Sequence, residues 1–391
     1  MKKAKKMTKT SAVIAEYNPF HNGHKYNLEQ IKNNSSNSCV AVIMSGNFTQ
    51  RGEIAVMDKY TRATHAIKAG ADIVVELPTV YATANAEIFA LGGVKVFKGI
   101  GATTLCFGAE KADKQEFLST AKLCLNETKE FKNRLKTHLK SGYKFAKAKS
   151  LALCELANIN QEMLLSPNNI LGVEYTKALL SLCPTADILP ILRVGSGYND
   201  TTLKDNFSSA SAIRKGVQLG EDISSNVPPF VLDDMPKTLP NASDMIMLSV
   251  IQKSLKELKN LPDCTEGLEN RIYKMARQSS SLEELLEKTL CKRYTKTRLQ
   301  RILICSLLGI NKKIVTLAKK TTPYIKVLAI KKDKMHKLSE IAKSATLITR
   351  SGDEQKLNKK QLSLFKIDKF AGEVYSLITN STQKPFEMKI I

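Results

Sequence analysis

Two of the chain's five histidines, His21 and His24, stand three residues apart in AEYNPFHNGHKYNL, residues 15–28, where a short apolar run gives way to helical spacing. Imidazole N–H groups at the start of a helix can stabilise negative charge that builds on a phosphate as its leaving group departs. Gly23 lies between them, and its missing side chain lets backbone N–H groups come close to such a phosphate. Pro19 stiffens the turn that leads into the pair. The bland alternative is a surface turn with two solvated histidines, and the strand before and helix after argue against it.

A second segment, SSASAIRKG at residues 208–216, places hydroxyls and a fixed cation together. Ser211 and Arg214 at a helix start suit the outer phosphates of a nucleotide, since a guanidinium pairs with phosphate in a planar fork. By itself the segment also reads as a simple Ser-capped helix. A phosphate-binding His pair in the same region raises its weight.

These residues need a scaffold that brings distant segments to one edge. From Ser11 to about Gly220 the sequence alternates β-branched runs with amphipathic stretches, as a doubly wound parallel sheet does. SAVIAEY, CVAVIMS, DIVVELP and TTLCFGA predict strands; YNLEQIKNN and KYTRATHAIKAG predict helices, the latter closed at Gly70. The Lys- and Leu-rich block from Glu116 to Leu156 predicts helices beside the sheet. The proline-bearing SSNVPPFVLDDMP marks a boundary, dividing the chain into regions 11–225 and 240–391. Beyond it MIMLSVIQKSLKEL, SLEELLEKTL and TRLQRILICSLLGI predict a helical bundle, and YIKVLAI, HKLSEIAKSA and TLITR a small α/β cap.

Composition points to a polyanionic partner. Sixty Lys plus Arg against 37 Asp plus Glu give a formal charge of +23, which favours RNA through phosphate neutralisation, although a merely solvated basic surface has the same composition. Lys292, Arg293, Lys296, Arg298 and Arg301 crowd into one stretch and form a candidate RNA face. The eight cysteines are scattered, with no Cys-x-x-Cys pair, and read as reduced core residues. MKKAKKMTKT lacks the long apolar run of a signal peptide and reads as a disordered basic tail; no stretch reaches the length of a membrane helix. A cytoplasmic protein is expected.

The order of motifs is specific. AEYNPFHNGH, MSGNFTQRGE at 44–53, ELP at 76–78, FGAE at 107–110, SPNNILGVEY at 166–175 and R-x-G-S-G-Y at 193–198 resemble the tRNA(Met) cytidine acetate ligase family of the nucleotidyltransferase superfamily, and KRYTKTRLQRIL at 292–303 resembles its C-terminal part. Tyr17-Asn18-Pro19 stands where the superfamily carries Phe-Asp-Pro, and Glu16 replaces a small residue. The resemblance implies a Rossmann-like α/β nucleotidyltransferase domain with a parallel sheet, followed by a helical and small α/β C-terminal region that binds tRNA. It implies that ATP and acetate give acetyladenylate, whose acetyl group passes to the exocyclic amine of the wobble cytidine of elongator tRNA(Met).

Carried over by position, the resemblance makes His21 and His24 catalytic. It assigns ATP contacts to Ile14, Ala15 and Glu16 at the strand end, to Tyr17, Asn18, Pro19 and Phe20 in the turn, and to His21, Asn22, Gly23 and His24. Lys25, Tyr26 and Asn27 follow in the helix, and Gly108, Asn168, Arg193, Ser211 and Arg214 complete the set. Asn168 could instead cap a helix and Arg193 could make a surface ion pair. Mg²⁺ is expected with ATP, its ligands open. Gln50, Arg51 and Glu53 could position acetate, tRNA or a metal. Glu16 would repel a triphosphate unless Mg²⁺ intervenes or it accepts N–H groups.

Two other readings compete: an adenylyltransferase of a small cofactor precursor, and a non-catalytic RNA-binding protein on the same scaffold. The first leaves the long basic C-terminal half unexplained; the second leaves the intact phosphate-binding elements unexplained. Lys334-Met335-His336-Lys337-Leu338-Ser339 resembles the Lys-Met-Ser-Lys-Ser loop of class I aminoacyl-tRNA synthetases, but it starts a predicted helix outside the catalytic region.

Overall fold

The apolar run after the basic tip forms strand β1 (Thr10–Ala15), and the next β-branched runs form β2 (Cys39–Ser45), β3 (Ile73–Leu77), β4 (Thr104–Ala109) and β5 (Asp187–Leu192). The computed structural model describes residues 9–34, 39–126, 128–143, 145–157, 164, 166–195, 202–203, 206–291, 293–382 and 386–391. The tail before Lys9, residues 196–198 of the R-x-G-S-G-Y element, and Lys292 lie outside them.

These five strands are parallel, in the order β5-β4-β1-β2-β3. Every residue of β2 is buried, as a central strand covered by helices on both faces requires. Alternation decides which face each side chain serves. Ala12, Ile14, Ala41 and Ile43 join one apolar cluster, with Phe89 and Val94 of the Ala86–Gly99 helix. Val13, Val40, Val42 and Met44 join the other, with Leu28 and Ile31 of the Asn22–Asn34 helix and Tyr60, Ala63 and Ile67 of the Lys59–Lys68 helix. Asp58 caps the Lys59–Lys68 helix by accepting the N–H groups of Tyr60 and Thr61. Gly70 follows at a φ of 118° that favours glycine.

The C-terminal region carries the expected strand, helix and strand, and its strands extend the same sheet instead of forming a separate cap. Strand β6 (Ile325–Ile330) pairs antiparallel with β3, and β7 (Leu347–Ile348) and β8 (Lys389–Ile390) each pair parallel with β6. The C-terminal helices also share the first apolar cluster, which runs from Ile14 and Val75 through Ile246, Leu299 and Ile302 to Phe365. The pairing of β3 with β6 covers an edge that would otherwise present unpaired backbone groups.

A buried ion group joins the two regions at that seam. Glu76, near the carboxyl end of β3, takes Lys59 Nζ at 2.6 Å and Lys326 Nζ, from β6, at 3.1 Å. Burial works against the charge of Glu76, but Lys326 and Lys59 outweigh it and hold its pKa at about 2.

After β3 the chain returns across the sheet to place β4 on the other side of β1. That reversal makes the gap between the carboxyl ends of β1 and β4 a topological switch point, where sheets of this kind bind ligands. No helix among the described residues is long and apolar enough to cross a membrane.

Candidate active site

A cavity opens at this switch point. The ends of β1, β4 and β5 line it through Ile14, Ala15, Gly108, Leu192 and Arg193, and the turn after β1 through Glu16, Tyr17, Asn18, His21, Gly23 and His24. Tyr26 and Asn27 line it from the helix, Gln50, Arg51 and Glu53 from the loop after β2, and Asn168, Ser211 and Arg214 from further along the chain. Pro19, Phe20, Asn22 and Lys25 do not line it: Phe20 is buried in the core beneath, and Lys25 is exposed. Asn22 instead anchors the helix, donating from Nδ2 to Ser225 O at 2.8 Å and to Asn206 O at 3.1 Å.

The turn is fixed by its own rings. Tyr17 holds a φ of 51°, a left-handed conformation that costs a bulky residue roughly 1–3 kcal/mol and persists only where surroundings enforce it. Its ring meets those of Phe20 and His24, both at 4.8 Å between centroids. His21 and His24 stack at 3.6 Å. A Cβ on Gly23 would fall 2.9 Å from His21 Cε1, so the glycine makes room for the ring.

Hydrogen bonds select the tautomers. His21 Nδ1 accepts the Gly23 N–H at 3.1 Å, and His24 Nδ1 accepts the His21 N–H at 3.3 Å. A neutral ring that accepts at Nδ1 carries its proton on Nε2, so both histidines are Nε2–H donors. Burial, then Arg193 and Arg214, push His21 down to about 3. Burial, His21 and Arg193 likewise lower His24. Both rings are therefore neutral near pH 7.

Arg214 lies on the Ala210–Leu219 helix, which Ser209 caps through the Ala212 N–H. Its guanidinium donates to Asn18 O at 2.7 Å, to Glu53 at 2.6 Å and to Ser211 Oγ at 3.3 Å. The expected cation thus meets the histidine turn directly, and the Ser211 hydroxyl is tied to it through Arg214. Arg193 lies beside Gly108, where an added Cβ would sit 3.4 Å from Arg193 Cγ, and it makes no ion pair among the described residues. The surface ion pair weighed for it is absent there.

Glu16 meets the second of the conditions set for it by accepting the Gln50 N–H at 2.5 Å. Burial raises its pKa, and the nearby Glu53 adds to the shift. Asn168 is not the cap of its helix. That position belongs to Ser166, while Asn168 Nδ2 donates to Glu110 at 2.6 Å and Ser166 Oγ donates to the same carboxylate at 2.9 Å. The Asn168 side-chain oxygen has no hydrogen-bond partner among the described residues.

Several contributors were given no role by the motifs, although some lie within them. Arg62, fully buried, donates to Glu16 O at 2.6 Å, Met57 O at 2.9 Å, Ser45 O at 3.2 Å and Gly46 O, and so ties the ends of β1 and β2 together. Its spacing in KYTRATHAIKAG reads only as one helix position. Phe89, Phe107, Leu171 and Tyr175 form an apolar wall of the cavity. At Gly52, with a φ of 72°, an added Cβ would lie 2.4 Å from the Gln300 carbonyl carbon, so the loop carrying Gln50 and Glu53 rests on the Lys296–Leu307 helix.

The expected C-terminal basic stretch divides in two. Arg293 and Lys296 are exposed. Arg298 donates to Asp263 O at 3.0 Å and Thr265 Oγ1 at 2.8 Å, and Arg301 pairs with Asp263 at 3.4 Å, so both are held by one neighbouring loop. Lys337 of the synthetase-like segment bonds Glu340 and Thr10, at the amino end of β1 and so away from the cavity.

Comparison with known proteins agrees with this fold. A family model described as HIGH Nucleotidyl Transferase matches residues 8–389. The tRNA(Met) cytidine acetate ligase of Clostridium novyi is 38% identical over 394 residues, covering 97% of this chain and 98% of that protein. The enzyme of the same name from Caldicellulosiruptor saccharolyticus is 39% identical, covering 94% of each. The apo crystal structure of Thermotoga maritima TmcAL superposes with a TM-score of 0.91 at 30% identity, covering 98% of this chain and 99% of that one. A second crystal form of that protein, bound with alpha-thio ATP, gives a TM-score of 0.89 at 30% identity. With such identity along nearly its whole length, the chain belongs to the tRNA(Met) cytidine acetate ligase family.

Proposed function

We propose that this protein activates acetate with ATP to acetyladenylate and transfers the acetyl group to the exocyclic amine of the wobble cytidine of elongator tRNA(Met), in the cytoplasm. The observation that carries the proposal is the pair of neutral histidines, each an Nε2–H donor, at the switch point of a nucleotidyltransferase sheet. Adenine lies along the apolar wall beside Gly108, with its polar edge towards Asn168. The triphosphate runs past His21 and His24 towards Ser211 and Arg214.

An acetate oxygen attacks the α-phosphorus, the bond to the β-phosphate oxygen breaks, and pyrophosphate leaves. His21 and His24 donate to oxygens that gain charge, and Arg193 adds a cation that makes no ion pair among the described residues. In the second step the cytidine amine attacks the acetyl carbonyl, the acyl–phosphate bond breaks, and AMP departs. Exposed Arg293 and Lys296 suit the RNA backbone, while Arg298 and Arg301 shape the loop behind them.

Mg²⁺ fits the site as an ion carried in on ATP. Glu16 lines the cavity with one carboxylate oxygen engaged, and among the described residues no cluster of three metal-ligating side chains stands ready. Mg²⁺ is commonly held by one or two carboxylates together with substrate phosphates. Bound there, it neutralises triphosphate charge.

The test is hydroxylamine trapping. With ATP and acetate alone the protein should yield acetohydroxamate and pyrophosphate, and with tRNA it should yield N4-acetylcytidine. A requirement for acetyl-coenzyme A, or adenylylation of a phosphorylated small molecule instead, would rule the proposal out.

A further inference from the structure

Between β4 and β5 the chain makes an excursion through the helices Lys114–Leu125, Lys129–Lys140 and Phe145–Ala157. The Lys129–Lys140 helix has three distinct faces. Phe131 and Leu135 pack against Ala152, Leu153, Leu156 and Leu164. On a second face Arg134 pairs with Glu130 at 2.8 Å and Glu155 at 3.1 Å, and His138 with Glu155 at 2.9 Å, so the acids there are already engaged.

The third face holds Lys129, Lys132, Lys136 and Lys140. Steps of three, four and four residues place them on one line along the helix, about 16 Å long at 1.5 Å per residue. All four are exposed, and none makes an ion pair with a described residue. Like charges at such spacing oppose one another and weaken the helix. Beyond the helix end Tyr143, 47% exposed, sets its ring edge-on to His138 and so belongs to the second face.

Its position bears on the cavity. Leu164, in the hairpin's apolar cluster, lies just before the Pro167–Leu182 helix that carries Asn168. Gly172 of that helix packs against Phe107 of β4 and Phe117 of the Lys114–Leu125 helix; an added Cβ there would lie 2.6 Å from each ring. The lysine stripe is thus built onto one wall of the nucleotide site.

We infer that the lysine face of the Lys129–Lys140 helix docks the phosphate backbone of the tRNA substrate. This rests on the tRNA reading above. Phosphates complement a line of exposed lysines that has no ion-pair partner among the described residues. The face lies outside the C-terminal basic stretch.

The experiment compares K132E/K136E/K140E with K132R/K136R/K140R, using an elongator tRNA(Met) transcript at several salt concentrations. Acetyl transfer by the unaltered protein is measured first, and its absence would remove the tRNA reading itself. Given that transfer, the Glu variant should raise the KM for tRNA at least about tenfold and shrink the salt slope of binding by about 2–3 units. The Arg variant should stay near the unaltered value, and acetohydroxamate formation without tRNA should be equal in all three. An unchanged tRNA KM and salt slope in the Glu variant overturns the inference, as it would if the stripe served an acidic protein. Parallel loss of hydroxamate formation in the Glu variant also overturns it, because the stripe would then be structural.

Discussion

Glu53 and Arg214 meet at 2.6 Å across the cleft, a carboxylate on the loop after β2 clamping the guanidinium proposed for the outer phosphates of ATP. Arg214 also donates to Asn18 O and Ser211 Oγ, so its fork is fixed from three sides. An ammonium lacks that fork. Arg214→Lys should therefore raise the KM for ATP roughly tenfold or more, as loss of a charge-assisted hydrogen bond does. Pyrophosphate release at varied ATP measures it; an unchanged KM would remove Arg214 from the phosphate site.

His24→Ala should leave the fold intact and lower acetate-dependent pyrophosphate release by roughly 10²-fold, the usual loss for one donor to a charged transition state. Circular dichroism checks the fold and hydroxylamine trapping the rate. Near-normal trapping in a folded variant would move the chemistry elsewhere.

Buried His21 also bears on acid stability. The folded protein holds His21 at about 3, below its ordinary 6.5, so the fold favours the neutral ring. That contribution is complete above pH 6.5 and is lost as the pH falls from there towards 3. Between pH 7 and pH 5 His21 alone should cost about 2 kcal/mol of stability. Urea midpoints at the two pH values should show the drop, and His21→Asn should flatten it.

Gly52→Ala tests the support beneath the cleft. The residue is left-handed at a φ of 72° and touches the backbone of Gln300, so a methyl group meets strain and backbone together. A loss of at least about 1–3 kcal/mol is expected. The KM for ATP should rise as Gln50 and Glu53 shift. Thermal melting and pyrophosphate kinetics read the two effects separately.

The inward-held arginines make a contrasting prediction. Arg298→Gln and Arg301→Gln should each lower the melting temperature, because they release the loop around Asp263 and Thr265. Arg293→Gln with Lys296→Gln should leave melting unchanged and raise the KM for tRNA. Equal melting temperatures for all four changes would contradict this division.

The sequence made the histidine turn legible because its signals are local: an apolar run, a proline, a glycine and helical spacing within 14 residues. The capped helix with Ser211 and Arg214 was legible for the same reason. What escaped depends on distant partners. Glu110 meets Ser166 and Asn168 from 56 and 58 residues away, and Arg62 gathers carbonyls from the ends of two strands. The inward turn of Arg298 and Arg301 follows from a loop more than thirty residues earlier. Helical spacing alone assigned those side chains to an outer face. The strand pattern of YIKVLAI was correct, but its sheet partner was not written in its own residues.

That pairing of β6 with β3 sets an order on the making of the molecule. A ribosome releases β3 about 250 residues before it releases β6, so throughout that interval the nascent sheet has an open edge. Until β6 arrives, Glu76 and Lys59 lack Lys326 and the helices that enclose them. The parallel part of the sheet is thus synthesised well before the strand that covers its edge.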